Sequence, residues 1–213
     1  MPKILTPDEI LCFRNRMCDH ALVSFGKHGV EGISLRGLAA DLSCSRTTPY
    51  RYFKNKADIL AALRQREFGR IADSLEAALA QETDTNKQLE ALFRSYLQFA
   101  MQHPDSYRVM YNVVQPDSTQ YTELEAEISR SAKPMRQVVN ASVEAGTMFG
   151  QPVDIFYVLW AGLHGLISLH LAHLIGNKHN FEELAAVMTG ALIRSVSTES
   201  SGTAAAGQEF KLS

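Results

Sequence analysis

The stretch over residues 34–56, SLRGLAADLSCSRTTPYRYFKNK, constrains the chain more than any other. Leu35, Leu38, Ala39 and Leu42 fall at helical spacing; Ser43, Cys44 and Ser45 interrupt them, and Tyr50, Tyr52 and Phe53 resume the apolar pattern. Ser34 reads as the N-cap of one short helix and Ser45 as the N-cap of the next. The spacing therefore predicts two helices joined by a tight turn, a unit whose second helix can enter a DNA major groove about 12 Å wide. Arg46, Thr47 and Thr48 then occupy the first turn of the recognition helix and face base edges. Tyr50 and Tyr52 offer hydroxyls to flanking phosphates, Arg36 reaches the same groove, and Lys56 suits a phosphate. The competing reading is a solvated polar face on a small bundle.

Charge supports the first reading. Residues 1–70 carry 12 Lys and Arg against 7 Asp and Glu, a balance of +5, whereas residues 71–213 carry 9 against 16, a balance of −7. The front third can meet a polyanion and the remainder would be repelled by one, which predicts a nucleic-acid end and a second end with another task. With 213 residues and 46% hydrophobic content, the chain can bury a full core. The longest apolar run, 153–175, contains His164, His170 and His173, so no membrane association is expected. No basic stretch followed by an apolar core opens the sequence, and three cysteines suit reduced thiols, so a cytoplasmic location is expected.

Thr6-Pro7-Asp8-Glu9 combines an N-cap, a proline at the first helical position and a capping-box glutamate, so the first helix is placed there, ending near His28 before Gly29. Asn55 caps a fourth helix reaching about Gln81, with Asp58 in its first turn. Further helices are expected near 86–102, 104–114, 119–147, 152–175 and 181–197, separated by His103-Pro104, Gln115-Pro116, Gly150-Gln151-Pro152 and Gly176-Asn177. No strand-like alternation appears. The expected fold is all-α: a three-helix DNA-binding head with a helix-turn-helix, linked by a fourth helix to a five-helix ligand-binding and dimerisation body. The expected domains are 1–55, 56–197 and a flexible tail over 198–213.

The run Tyr50-Arg51-Tyr52-Phe53-Lys54-Asn55-Lys56, with Leu38-Ala39 before it, resembles the DNA-binding domain of the TetR family, the tetracycline-repressor-like regulators. The resemblance implies base contacts from Arg36, Arg46, Thr47 and Thr48, and phosphate contacts from Ser34, Tyr50, Tyr52 and Lys56. Tyr52 stands where the family often has His. Ser43 stands where the turn usually carries Gly, and a left-handed backbone there costs a non-glycine residue about 1 kcal/mol. Pro49 lies four residues past Ser45, where the first intrahelical N–H bond belongs, so it weakens the recognition helix unless that helix starts one residue later. Trp160-Ala161-Gly162-Leu163-His164-Gly165 is similar to the WHG-type C-terminal domain of a subset of these regulators.

Gly162, Gly165 and Ala161 permit close helix approach, and the apolar 152–175 helix with the Leu184, Val187, Met188, Ala191 and Leu192 stripe could form a four-helix homodimer interface. Phe93, Tyr96, Tyr107, Met110, Tyr111, Trp160 and His164 are the candidate ligand-pocket residues: aromatic and thioether walls with a few polar tips suit a small hydrophobic effector. His170 and His173 share a helix face, but no Cys or carboxylate lies beside them, so structural histidines are expected rather than a metal site. No P-loop, nucleophile elbow or metalloprotease motif is present, and neither an enzyme nor a cofactor is expected. These readings converge on a repressor that leaves palindromic operator DNA when a small molecule binds. The alternative is an all-helical protein-binding or scaffold module without DNA affinity.

Overall fold

The computed structural model describes residues 6–111, 113, 120–176 and 180–198. Within them the extended regular elements are helices: α1 (Pro7–His28), α2 (Leu35–Asp41), α3 (Lys56–Ala80), α4 (Thr85–Gln102), α5 (Pro104–Tyr111), α6 (Thr122–Glu144), α7 (Pro152–Leu171) and α8 (Phe181–Val196), with 3₁₀ turns at Val30–Gly32 and Pro49–Arg51 and an isolated bridge between Met148 and Ser197. The expected Gln115-Pro116 break lies outside the described residues. So does the expected tail from residue 199 onward, whereas Thr198 donates its N–H to the Thr147 carbonyl at 3.1 Å.

Local chemistry explains most boundaries. Thr6 Oγ1 accepts from Glu9 N at 3.2 Å while Glu9 Oε2 accepts from Thr6 N at 2.9 Å, the reciprocal capping box read from the sequence. Ser34 Oγ accepts from Gly37 N, and Asn55 Oδ1 accepts from Asp58 N, both at 3.0 Å. Helix α2 closes with Ser43 N bonded to Ala40 O and Cys44 N to Ala39 O, a Schellman motif that needs a left-handed residue. Ser43 supplies it at φ 51°. His173, at φ 56°, ends α7 the same way, with His173 N bonded to His170 O and Leu174 N to Leu169 O. That motif stops α7 at Leu171 rather than at residue 175.

The chain divides into two compact units. The first joins Met1–Leu75 to Gln98–Ala132. Its core gathers Met17, Ala21 and Phe25 of α1, Leu35 and Leu38 of α2, Phe53, Ile59 and Leu63 of the α3 region, and Val109 of α5. Cys18 belongs to this core, where burial pushes its thiol up to about 11. Compactness thus does not divide the chain at residues 55/56, because α5 completes the apolar packing of the head. Gly26 of α1 lies so close to the Asp105 carboxylate of α5 that a side chain there would collide with it.

A buried charge fixes α1 against α3 in this unit. Glu67 is fully buried, with Oε1 held by Arg66 Nη2 and Oε2 by Arg70 Nη1, each at 2.8 Å. Arg66 Nη1 also reaches across to the Asn15 carbonyl at 3.1 Å and to Asp19 Oδ1 at 2.7 Å on α1.

The second unit joins Glu76–Leu97 to Lys133–Ser213. Leu89, Leu92, Phe93 and Tyr96 of α4, Val138 and Val139 of α6, and Leu159, Leu163 and Ile167 of α7 are buried here. Leu192 of α8 sits in the space left by Gly162, 2.7 Å from where a Cβ would stand. Phe149 N donates to Val196 O at 3.0 Å and ties the segment before α7 to the end of α8.

Removing the carboxylate at Glu67 leaves a void and two partly solvated arginines, of which Arg66 keeps Asp19, so Glu67→Ala should lower unfolding free energy by about 1–3 kcal/mol in urea titrations. Retention of parental stability would show that the network contributes nothing net.

Candidate nucleic-acid interface and ligand site

The segment after Ser43 departs from the expected α-helix, and Pro49 is the cause. A helix capped by Ser45 requires the N–H of residue 49 to bond the Ser45 carbonyl, and proline has none. Instead Thr48 N takes the Ser45 carbonyl at 2.9 Å, Arg51 N takes Thr48 O at 3.1 Å, and Tyr52 N and Phe53 N both take Pro49 O at 3.0 Å. The result is a tight turn followed by the 3₁₀ turn Pro49–Arg51. The Ser45 hydroxyl pairs with those of Thr47 at 3.1 Å and Thr48 at 2.8 Å rather than acting as the expected backbone cap. Local hydroxyl bonds of this kind compete with helix formation.

This backbone nonetheless displays the expected side chains together. Ser34, Arg36, Arg46, Thr47 and Tyr50 are exposed, with Tyr50 at 53%, while Thr48, Tyr52 and Lys56 are half-buried. Tyr52 is partly committed to the core, its ring 4.7 Å from that of Phe13. The Lys56 ammonium meets Glu31 Oε2 at 3.2 Å, so a phosphate would have to displace that carboxylate. Displacement is cheap, because Glu31 is 94% exposed and such a surface pair is worth only about 0–1 kcal/mol.

Arg14 of α1 is the residue that sequence reading missed. Its Nη1 donates to the Tyr52 carbonyl at 2.9 Å and its guanidinium stacks 4.5 Å over the Phe53 ring, pinning the far end of the recognition turn. A partner 38 positions away leaves no local signal. Asp58 supports the same end: Oδ2 accepts from Lys54 N at 2.8 Å and Oδ1 from the Tyr121 hydroxyl at 3.0 Å. A cleft of about 270 Å³ opens between these groups, lined by Arg14, Lys54, Asp58, Gln65 and Tyr121.

The candidate ligand-pocket residues fall into two groups. Phe93, Tyr96, Trp160 and His164 belong to the second unit; Tyr107, Met110 and Tyr111 belong to the first. In the second unit Trp160 Nε1 donates to Tyr96 Oη at 3.0 Å, the Trp160 and His164 rings lie 5.7 Å apart, and His164 Nε2 is 3.3 Å from Ser168 Oγ. Burial lowers the His164 pKa from its usual value, so the imidazole is neutral at pH 7. In the first unit the Tyr107 and Tyr111 rings lie 4.8 Å apart and Phe68 meets Tyr111 edge-on at 5.5 Å. His170 packs its ring 4.4 Å from Phe181.

A family model described as bacterial regulatory proteins, tetR family, matches residues 18–63, and another described as tetracyclin repressor-like, C-terminal domain, matches 89–192. Two uncharacterized HTH-type transcriptional regulators of Mycobacterium tuberculosis are each 28% identical over 137 residues, 62% of this chain and 58% of theirs. The chain thus spans under two thirds of the length of these curated relatives. Among solved structures, a Rhodococcus sp. RHA1 protein of unknown function is similar with TM-score 0.75, 23% identity and coverage of 87% of this chain and 95% of that one. The fatty acid degradation regulator FadR of Bacillus halodurans is similar with TM-score 0.70, 17% identity and coverage of 90% and 97%. At these identities the likeness concerns the fold.

Trp160 is the sole tryptophan, so its fluorescence reports the His164 environment directly. Because the folded His164 pKa lies below about 6.5, stability contributed by the neutral ring is present above that pH and declines as pH falls through it. Trp160 emission should change with a midpoint below 6.5, and His164→Gln should abolish that transition. A midpoint above 6.5 in the parent would contradict the burial effect.

Proposed function

We propose that this chain, which belongs to the tetR family of bacterial regulatory proteins, is a cytoplasmic, homodimeric transcriptional repressor that binds palindromic operator DNA and leaves it when a small hydrophobic effector binds. The observation that carries the reading is the cluster of exposed Ser34, Arg36, Arg46, Thr47 and Tyr50 beside Lys56 on a head whose flanking sequence is net basic. Arg36, Arg46, Thr47 and Thr48 read bases, and Ser34, Tyr50, Tyr52 and Lys56 hold phosphates. Residues 1–55 form the DNA-binding head and 56–197 the effector-binding and dimerisation body.

Uncovered apolar surface supports the dimer. Val158, Ala161 and Leu169 are exposed along one face of α7, Gly165 between them has no neighbour within 4 Å of an added Cβ, and Val187 and Ala191 are exposed on α8. Helix α7 is also long and apolar enough to cross a membrane, but a water-soluble partner surface accounts for the same composition. Two heads related by twofold symmetry would meet half-sites about one helical turn, or a multiple of it, apart. Effector surface comes from Phe93, Tyr96, Trp160 and His164 within the second unit, or from Tyr107, Met110 and Tyr111 within the first, and effector affinity must differ between DNA-competent and released dimers for release to occur. The continuous helix α3 offers the route of coupling.

Selection from random DNA should yield a palindrome. On it, Arg46→Ala should weaken binding by about 1–3 kcal/mol and relax one position, whereas Lys56→Ala should reduce the salt slope by about 1 without changing sequence preference. Salt-independent or absent DNA binding would favour the protein-scaffold alternative. In sedimentation equilibrium, Leu169→Glu should convert a dimer into a folded monomer with weakened operator affinity; an unchanged dimer would move the interface elsewhere.

A further inference from the structure

Arg64 of α3 is only 3% exposed, and its Nη1 is a buried donor without a hydrogen-bond partner among the described residues. Its Nε and Nη2 both donate to the Met110 carbonyl, at 3.4 and 3.2 Å, in the last turn of α5. Its guanidinium carbon lies 5.5 Å from the Phe68 ring centroid. Among the described residues no carboxylate forms an ion pair with it; the neighbour that acts on its charge is Tyr111. Desolvation lowers its pKa to about 10, which leaves it cationic at pH 7 but in an unfavourable setting. Glu67, three residues on, shows how this same helix treats a buried charge it needs for folding: two arginines neutralise it. A buried cation with no carboxylate partner among the described residues and one terminal nitrogen unpaired costs stability and calls for a role outside the fold.

The guanidinium geometry indicates which role. A carboxylate can approach arginine at the side edge, formed by Nε and Nη2, or at the end edge, formed by Nη1 and Nη2. Met110 O occupies the side edge. The end edge retains both Nη1 hydrogens and the second Nη2 hydrogen, a fork that matches the two oxygens of a carboxylate. Phe68 lies beside the guanidinium, meets Tyr111 edge-on, and Tyr111 in turn packs against Tyr107, so an aromatic run continues from the arginine.

We propose that Arg64 is the anchor of an effector bearing a carboxylate on a hydrophobic body, gripped end-on by the guanidinium, with the body against Phe68, Tyr107 and Tyr111. The proposal rests on the effector-responsive reading above and narrows its ligand to organic acids. It also supplies a consequence for α5. A carboxylate that neutralises Arg64 weakens the charge-assisted bonds to Met110 O, which tie the end of α5 to α3, so binding loosens one of the contacts that seat α5 against the head.

The test uses thermal unfolding of the full chain without DNA, at constant ionic strength, with octanoate, benzoate and 4-phenylbutyrate, each compared with its primary amide. At least one acid should raise the Tm of the parent by about 3 °C or more near saturation, and its amide should not. Arg64→Leu should fold with a Tm equal to or above the parent and lose the acid-dependent shift. Arg64→Gln, which keeps a donor for Met110 O, should lose it too. No acid exceeding its amide, a shift that persists in either variant, or a marked loss of stability in both would overturn the proposal. Because DNA is absent, the outcome is independent of operator binding: a parent that responds to an acid but binds no DNA would sink the regulator reading and leave the acid site standing.

Discussion

Glu67 is the point on which the first unit turns. A carboxylate with no solvent exposure is tolerable only because Arg66 and Arg70 close on its two oxygens, and Arg66 is thereby placed to reach Asn15 and Asp19 on α1. Apolar packing of Met17, Ala21, Ile59 and Leu63 holds α1 and α3 together without directional bonds. The ionic network adds directional bonds between particular atoms of the two helices. It sets the register of α1, and α1 in turn carries Arg14, whose guanidinium grips Tyr52 O and covers Phe53. The position of the recognition turn thus depends on a charge buried well away from it.

That turn illustrates how a local defect becomes a feature of the interface. Pro49 removes the bond that would begin an α-helix, and the Ser45 hydroxyl turns to Thr47 and Thr48 instead. The displayed side chains remain those expected from the sequence, because Arg46, Thr47 and Tyr50 lie outside the core whichever helical form the backbone takes. Their angular spread is that of a turn and a 3₁₀ segment. The geometry of this segment therefore depends less on helix periodicity and more on the anchors at each end: the Schellman motif at Ser43 and the Arg14 and Asp58 contacts near Tyr52 and Lys54.

Much of the molecule was legible because its signals are local. The capping box at Thr6, the caps at Ser34 and Asn55, the left-handed strain at Ser43 and the interrupting force of Pro49 each involve neighbours within a few residues. Helix boundaries set by Pro104 and Pro152 followed for the same reason. His173 shows the limit of such reading: its place beside His170 suggested a shared face, whereas its backbone ends the helix, a fact invisible in residue type. The candidate ligand residues were readable as aromatic and thioether chemistry, but their separation into two compact units was not.

The sequence by itself determined the all-α class, the order of the helices and most of their starts, the basic front third and the exposed polar side chains around residues 34–56, since these follow from periodicity, capping and charge along the chain. Only the tertiary structure decided that α5 completes the head core, that Glu67 is neutralised while Arg64 Nη1 is buried without a partner among the described residues, and that Arg14 and Asp58 hold the turn before α3. Each of those is a matter of which side chains meet across dozens of residues, and burial converts such meetings into large energies that no local pattern encodes.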